Sequence, residues 1–320
     1  MSPEYPSSHN PSSHDPSSHD PSSHDPSSHN PSSDNPFEAL SEESDDARWA
    51  FGTGFDDPLA GIDPSVPDGV DRGALAAYCL MLGDDALVMS HRLQEWCTHA
   101  PELEEEVALA NIALDLLGQA RLLLARTGVA EDKGRGEDDL AYFRDASDFR
   151  NVGLAEVENG DFAHSTVRLL LFATWRLALL DHLTTSRDPV LAAIAAKGVK
   201  EVAYHRDHAA LWTIRLGDGT DLSHERAQRA LDDLWPHTGE LFTAHEVERL
   251  LAGAGVAVDP ADVRAEFDAV LDEVLARATL RRPGPVPAHL AGRDGAHSPA
   301  LARLLTEMQS LARDHPGAAW

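Results

Sequence analysis

Asp115 sits in the middle of a long apolar run, ALANIALDLLGQAR (Ala108–Arg121), with Asn111 and Gln119 four residues to either side. Residues four apart lie on one face of a helix, so the three polar groups share a face, with Gly118 one turn on from Asp115. In a helical bundle that holds two metals, each half of the site takes a carboxylate and, three residues later, a histidine from one helix. The other two helices supply one acid each. Here the frame reads Asp115-x-x-Gly118: the acid is present and the histidine is missing. A second frame falls at Glu201, followed at three residues by Tyr204 and at four by His205. Glu201-x-x-x-His205 spans one turn and carries metal-binding groups, but at a different spacing. Asp84 or Asp85 offers an acid from an earlier helix, and the run from Phe162 to Leu180 contains no Asp or Glu.

Three acids of four, and at best one histidine of two, are too few to hold oxygen-activating iron. The expectation is therefore a bundle whose former site is filled by ordinary polar contacts. Asp85, Asp115, Gly118, Glu201 and Tyr204 mark its vestigial positions, with no catalytic residue and no metal in this chain. A buried acid without a metal needs a cation or hydrogen bonds to offset its desolvation. Lys197, one turn before Glu201, is the candidate cation, and Asn111 and Gln119 are candidates to hydrogen-bond Asp115. His205 and His208 have no plausible nucleophile beside them, and neither a phosphate-cradling glycine loop nor a G-x-S-x-G elbow occurs. The rival reading is a diiron ferritin-like oxygenase, or an iron-binding protein, in its own right.

Long helices must position these residues. Leu75, Tyr78, Leu82, Met89, Leu93 and Trp96 recur at helix-face spacing and predict a first helix over 74–96. Pro101 and four glutamates open a second, carried through Asp115 to about 126 and stopped by Gly128. Residues 128–160 form a long connection with a short helix near 139–143. A third helix spans 162–183, and Asp188-Pro189 caps a fourth that runs to about 216. Further helices are expected over 223–235, after a Thr243-x-x-Glu246 capping box, over 261–280, and from Ser298-Pro299 to about 313. No strand is expected. This is the all-α layout of a ferritin-like four-helix bundle with one long crossover and additional C-terminal helices.

Composition narrows the partners. The net charge is -28, and residues 1–70 hold 14 acids against one base, Arg48, which argues against nucleic acid or an anionic membrane. No run of about 18 apolar residues is free of charge, so no membrane span is expected, and the N-terminus lacks a basic and apolar leader. Two cysteines, Cys79 and Cys97, fit a reduced cytoplasmic protein. Residues 6–35 repeat PSSHN or PSSHD with proline every fifth position. Residues 1–70 are therefore expected to be a disordered acidic tail, and 71–320 the helical domain.

Five stretches carry a specific resemblance. They are LGDDALVMSHRLQEWCTHAPELEEEVALANIALDLLGQAR (Leu82–Arg121), VENGDFA (Val157–Ala163), SRDPVLAAIAAKGVKEVAYH (Ser186–His205), RLGDGTD (Arg215–Asp221) and LLTEMQSLARDHPGAAW (Leu304–Trp320). From about Leu75 onward the chain resembles the C subunits of bacterial phenylacetyl-CoA epoxidases, the ring-1,2-monooxygenases of aerobic phenylacetate breakdown. The resemblance implies a ferritin-like, iron-free structural subunit with no cofactor of its own. Its partner would be a homologous A subunit whose diiron centre epoxidises phenylacetyl-CoA. A reductase subunit with FAD and iron–sulfur centres would draw electrons from NADPH.

Overall fold

The computed structural model describes residues 59–287 and 291–318. The histidine repeats and the aromatics Phe37, Trp49, Phe51 and Phe55 lie outside the described residues, as does most of the expected acidic tail. Ten α-helices and no strand occur among the described residues. They are α1 (Arg72–Gln94), α2 (Leu103–Glu131), α3 (Glu137–Tyr142), α4 (Gly153–Glu156), α5 (Phe162–Leu183), α6 (Pro189–Gly217), α7 (Asp221–Leu234), α8 (Glu246–Gly253), α9 (Arg264–Arg277) and α10 (Pro299–Asp314).

The long helices begin where short acids can accept their free amides. Asp71 accepts from Ala74 N at 2.8 Å, Asp161 from His164 N at 3.0 Å, and Asp188 from Leu191 N at 2.8 Å with Pro189 in the first turn. α1 packs along α2 and α5 along α6, and the two helix pairs are joined by the long connection that holds α3 and α4. Between them lies one apolar core, with Leu75, Leu82 and Met89 of α1, Ile112, Leu116 and Leu123 of α2, Leu170 and Trp175 of α5, and Leu191 and Val202 of α6 all buried. Each such side chain contributes about 1.5–3 kcal/mol through its burial. α7 and α9 cover α5 and α6, α8 packs on α1, and α10 closes over α3.

Four expectations need correction. α2 does not stop at Gly128 but continues to Glu131, where Asp132 turns left-handed at φ 54°. Gly128 is needed for another reason: a Cβ there would lie 2.2 Å from the Arg135 carbonyl oxygen as the chain doubles back. The cap of α8 is His245 rather than Thr243. Glu248 accepts from His245 N at 2.8 Å, while Thr243 Oγ1 donates to Gly239 O. The helix expected from 261 opens as a 3-10 turn, Pro260–Val263, before α9.

The fourth correction is the start of the packed unit, which begins before residue 71. Leu59, Ile62 and Val66 pack against the core, Val70 is buried, and Arg126 reaches back to the carbonyls of Pro64 and Ser65. By length and composition alone, α1 and α2 are each apolar enough to cross a membrane, a test that the core helices of a folded bundle also pass. For α1 the reason is its central place: 83% of its apolar stretch is buried. For α2 the fraction is 44%.

Candidate functional site

At the centre of the bundle one residue from each of three helices meets a backbone carbonyl of the fourth. Gln119 of α2 is buried and donates to Glu201 Oε2 of α6 at 2.9 Å. Its amide oxygen accepts from Arg176 Nε of α5, also at 2.9 Å, and Arg176 Nη1 donates to the Leu82 carbonyl of α1 at 3.3 Å. Arg176 is fully buried, and desolvation pulls its guanidinium down to about 10 against the pull of Asp85. α5 thus brings a buried cation, and no acid, to this core, whereas a two-metal bundle takes a carboxylate from each of its four helices.

The acids of α1 point elsewhere. Asp84 receives both terminal nitrogens of Arg144 and the amide of Arg150. Asp85 receives Arg293 Nη1 and Nη2 at 2.9 and 2.8 Å, and the amide of Val152 at 2.8 Å. Burial pushes the Asp85 carboxyl up, and the Arg293 guanidinium pulls it back. All of its hydrogen bonds arrive from N–H donors, so the carboxylate form is the one this geometry holds. These two forks tie α1 to the crossover and to the segment before α10. A third buried pair, Arg126 with Asp188, ties α2 to the start of α6.

The remaining expected positions lie on the outer seam between α2 and α6. Asp115 is not bonded to Asn111 or Gln119; its side chain is 39% exposed and its Oδ2 meets His205 Nε2 at 3.0 Å. Nothing lies within 4 Å of a Cβ built on Gly118. Tyr204 is 52% exposed, its ring tilted over His208, which stands 3.2 Å from Glu105. The inward stripe of α2 is Ile112, Leu116, Gln119 and Leu123, so Asp115 and Gly118 are turned away from the centre. Asn111 is exposed.

Lys197 does reach Glu201 Oε1, but its side chain is 38% exposed, so it works from the rim. Removing Glu201 thus frees an ammonium to turn into water and strands the buried Gln119 amide. Glu201→Ala is expected to lose about 1–3 kcal/mol, the usual cost of an unpaired buried donor. Lys197→Met is expected to lose under about 1 kcal/mol, as for a partly exposed ion pair. A double-mutant cycle in urea checks this; equal losses for the two single variants would show that Lys197 is the essential partner after all.

These residues do not fit a metal. Among the described residues no group of three or more His, Cys, Asp or Glu could hold an ion, Arg176 occupies the centre, and Asp84 and Asp85 are each taken by an arginine fork. Two of the clefts among the described residues, of about 310 and 520 Å³, lie away from this centre. One is lined by Thr174, Asp181, Arg206 and Glu266, the other by Arg72, Leu80, Thr127 and Lys133, and both open at the surface. Sequence reasoning missed Arg176, Arg144, Arg293 and Arg126. The available signal was Arg168 and Arg176 in the acid-free run of α5, where both are fully buried.

One further ion pair closes the C-terminal segment. His297 Nδ1 lies 2.6 Å from Glu156 Oε2 and its Nε2 lies 2.9 Å from the Phe149 carbonyl. Both ring nitrogens face acceptors, which only the imidazolium satisfies. Burial lowers the His297 pKa, but the Glu156 carboxylate and the Phe149 carbonyl more than reverse it, so the net shift is upward. A raised folded pKa gives stability that is fully present below the unfolded value and is lost as pH rises through the folded value. The wild-type chain should therefore lose more stability than His297→Gln between pH 6 and pH 9 in denaturant titrations; superimposed pH profiles would contradict this.

The fold and this core define an all-α bundle whose buried acids are matched by arginines, a lysine and amides. The chain belongs to the phenylacetic acid catabolic protein family, which it matches over residues 64–320. It is similar to the C subunit of the 1,2-phenylacetyl-CoA epoxidase of Escherichia coli (strain K12), with 47% identity over 247 residues, covering 77% of this chain and 99% of that protein. The resemblance read from the sequence is thereby confirmed, and the family is ferritin-like.

Proposed function

We propose that this chain is the non-catalytic C subunit of a phenylacetyl-CoA epoxidase, a ferritin-like four-helix bundle with one long crossover and added C-terminal helices. In this reading it pairs with the homologous diiron A subunit, which acts on phenylacetyl-CoA, while a reductase subunit supplies electrons. Arg176 supports this reading: the group that α5 brings to Gln119 and Glu201 is a fully buried guanidinium, and an iron-binding bundle needs acids around its site. A diiron oxygenase in its own right would require a carboxylate from α5 at that place. The free cysteines, Cys79 and Cys97, support a cytoplasmic location.

The test is co-expression with the A subunit and iron counted per chain. The expected result is a stable complex with iron assigned to the A subunit and none to this chain purified alone. Two irons per chain in the isolated protein, with an absorption band lost on Glu201→Ala, would overturn the reading.

A further inference from the structure

We propose that His297 is a proton-operated latch on the C-terminal segment: while its ring is charged, α10 is held closed over the crossover, and loss of the proton lets α10 open locally while the bundle stays folded. The inference does not depend on the function proposed above. The latch is built where α4, the crossover and the segment before α10 meet. Glu156 of α4 accepts from the Ser298 amide through Oε1 at 2.6 Å. Its Oε2 accepts from Asn151 Nδ2 at 3.0 Å and lies 2.6 Å from His297 Nδ1, while His297 Nε2 lies 2.9 Å from the Phe149 carbonyl. The side chains of His297 and Glu156 are only 4% and 5% exposed, so water does not readily replace a lost contact. The charged ring donates from both nitrogens, whereas a neutral imidazole has one N–H and one lone pair. The neutral ring serves Glu156 or Phe149 but not both, and its lone pair then faces an oxygen.

The other ties of α10 are insensitive to pH near neutrality. Arg92 Nη2 donates to the Ala300 carbonyl at 3.1 Å, and Gln309 Nε2 to the Ala141 and Arg144 carbonyls at 2.9 and 3.1 Å. Arg313 donates to the carbonyls of Tyr142 and Arg144, and Leu301, Leu304 and Leu305 are buried beneath the helix. Arginine, amide and apolar groups do not titrate between pH 6 and pH 9, so among these ties only the one at His297 does. The surrounding charges decide which form of the ring is held. Glu156 touches it directly, and Asp84 of α1, itself bonded to Arg144 of the crossover, adds a second negative charge. Arg92 of α1 and Arg150 of the crossover oppose it. Their nearby donors go to carbonyls, those of Glu156 and Ala300 for Arg92 and those of Ser147 and Phe149 for Arg150. On its own segment Arg293 is paired with Asp85, Asp294 with His245, and Arg303 with Glu158. Coulomb energy falls with distance, so the carboxylate in contact prevails and the ring holds its proton above the ordinary histidine range. Closure is therefore favoured fully below about pH 6.5, the unperturbed value, and the contribution is lost as pH rises through the raised one.

Peptide-resolved hydrogen exchange on the full chain tests this, with each rate divided by the intrinsic rate at the same pH. α10 should exchange through an opening smaller than global unfolding, so its protection should be lower than that of α5 and, unlike that of α5, unchanged by low urea. Between pH 6 and pH 9 the protection of α10 should fall at least about fivefold, the weight of one hydrogen bond in an opening equilibrium. In His297→Gln that fall should vanish. Arg313→Ala cuts a tie that does not titrate, so it should lower the protection of α10 at both pH values and keep the fall. The latch is overturned if α10 shows the protection and urea dependence of α5, since His297 then contributes to global stability alone. It is also overturned if His297→Gln keeps the wild-type pH dependence, or if the His297 ring, followed by NMR, loses its proton at or below about pH 6.5.

Discussion

Arg293→Ala is expected to destabilise the chain by about 3–5 kcal/mol, the range for breaking a buried ion pair by removing one partner. Arg293 and Asp85 are both buried, with side-chain exposures of 3% and 0%. The guanidinium also donates to the carbonyls of Met81 and Arg150 and lies over the Trp175 ring. The single variant leaves a carboxylate desolvated with only the Val152 amide to hold it, and it releases the segment before α10 from α1. Arg293→Met combined with Asp85→Leu should lose much less, because an apolar pair of similar volume has no charge to compensate. Urea unfolding of both singles and the double, read as a cycle, measures the coupling. If the double variant is as unstable as the sum of the singles, the pair does not act as a unit.

How much of the structure is legible in the sequence follows from the range of the interactions. The helices are readable because their signals are local: Asp71, Asp161 and Asp188 each accept from a backbone amide three residues on. The acid-free run after residue 161 predicts a helix over 162–183, and α5 is found at Phe162–Leu183. The absence of an acid-x-x-His frame at Asp115 and Glu201 is a fact of the sequence itself, because that pattern is local. The partners of the buried acids are not. Asp85 and Arg293 are 208 residues apart in sequence, and Asp84 and Arg144 are 60 apart. The nearest cation in sequence to Glu201 is Lys197, which does contact it, yet from the rim. The neighbour that matters in the core, Arg176, reaches Glu201 only through Gln119 and is 57 residues from that amide. Asp115 misleads for a related reason: successive steps of four drift around a helix, so Asn111, Asp115 and Gln119 pass from exposed, through half-buried, to buried.

Arg176→Glu is expected to cost at least about 4 kcal/mol, a large share of the 5–15 kcal/mol that typically holds a domain folded. The substitution puts an acid on α5, as a two-metal bundle has on its third helix, but among groups that do not form a metal cage. The new carboxylate would be fully desolvated, near Glu201 and Asp85, with no cation of its own. Arg176→Met, of similar length and uncharged, is the comparison. It removes a guanidinium whose Nη2 has no hydrogen-bond partner, and leaves Glu201 bonded to Gln119 and Lys197. Its expected loss is below about 2 kcal/mol, the scale of a lost buried hydrogen bond to Gln119. The two variants differ mainly in one negative charge at one buried position, so the gap between their unfolding midpoints measures the cost of an uncompensated acid there. Equal stability of Arg176→Glu and Arg176→Met would mean that the centre of the bundle tolerates an acid without compensation. In that case the centre does not require a cation.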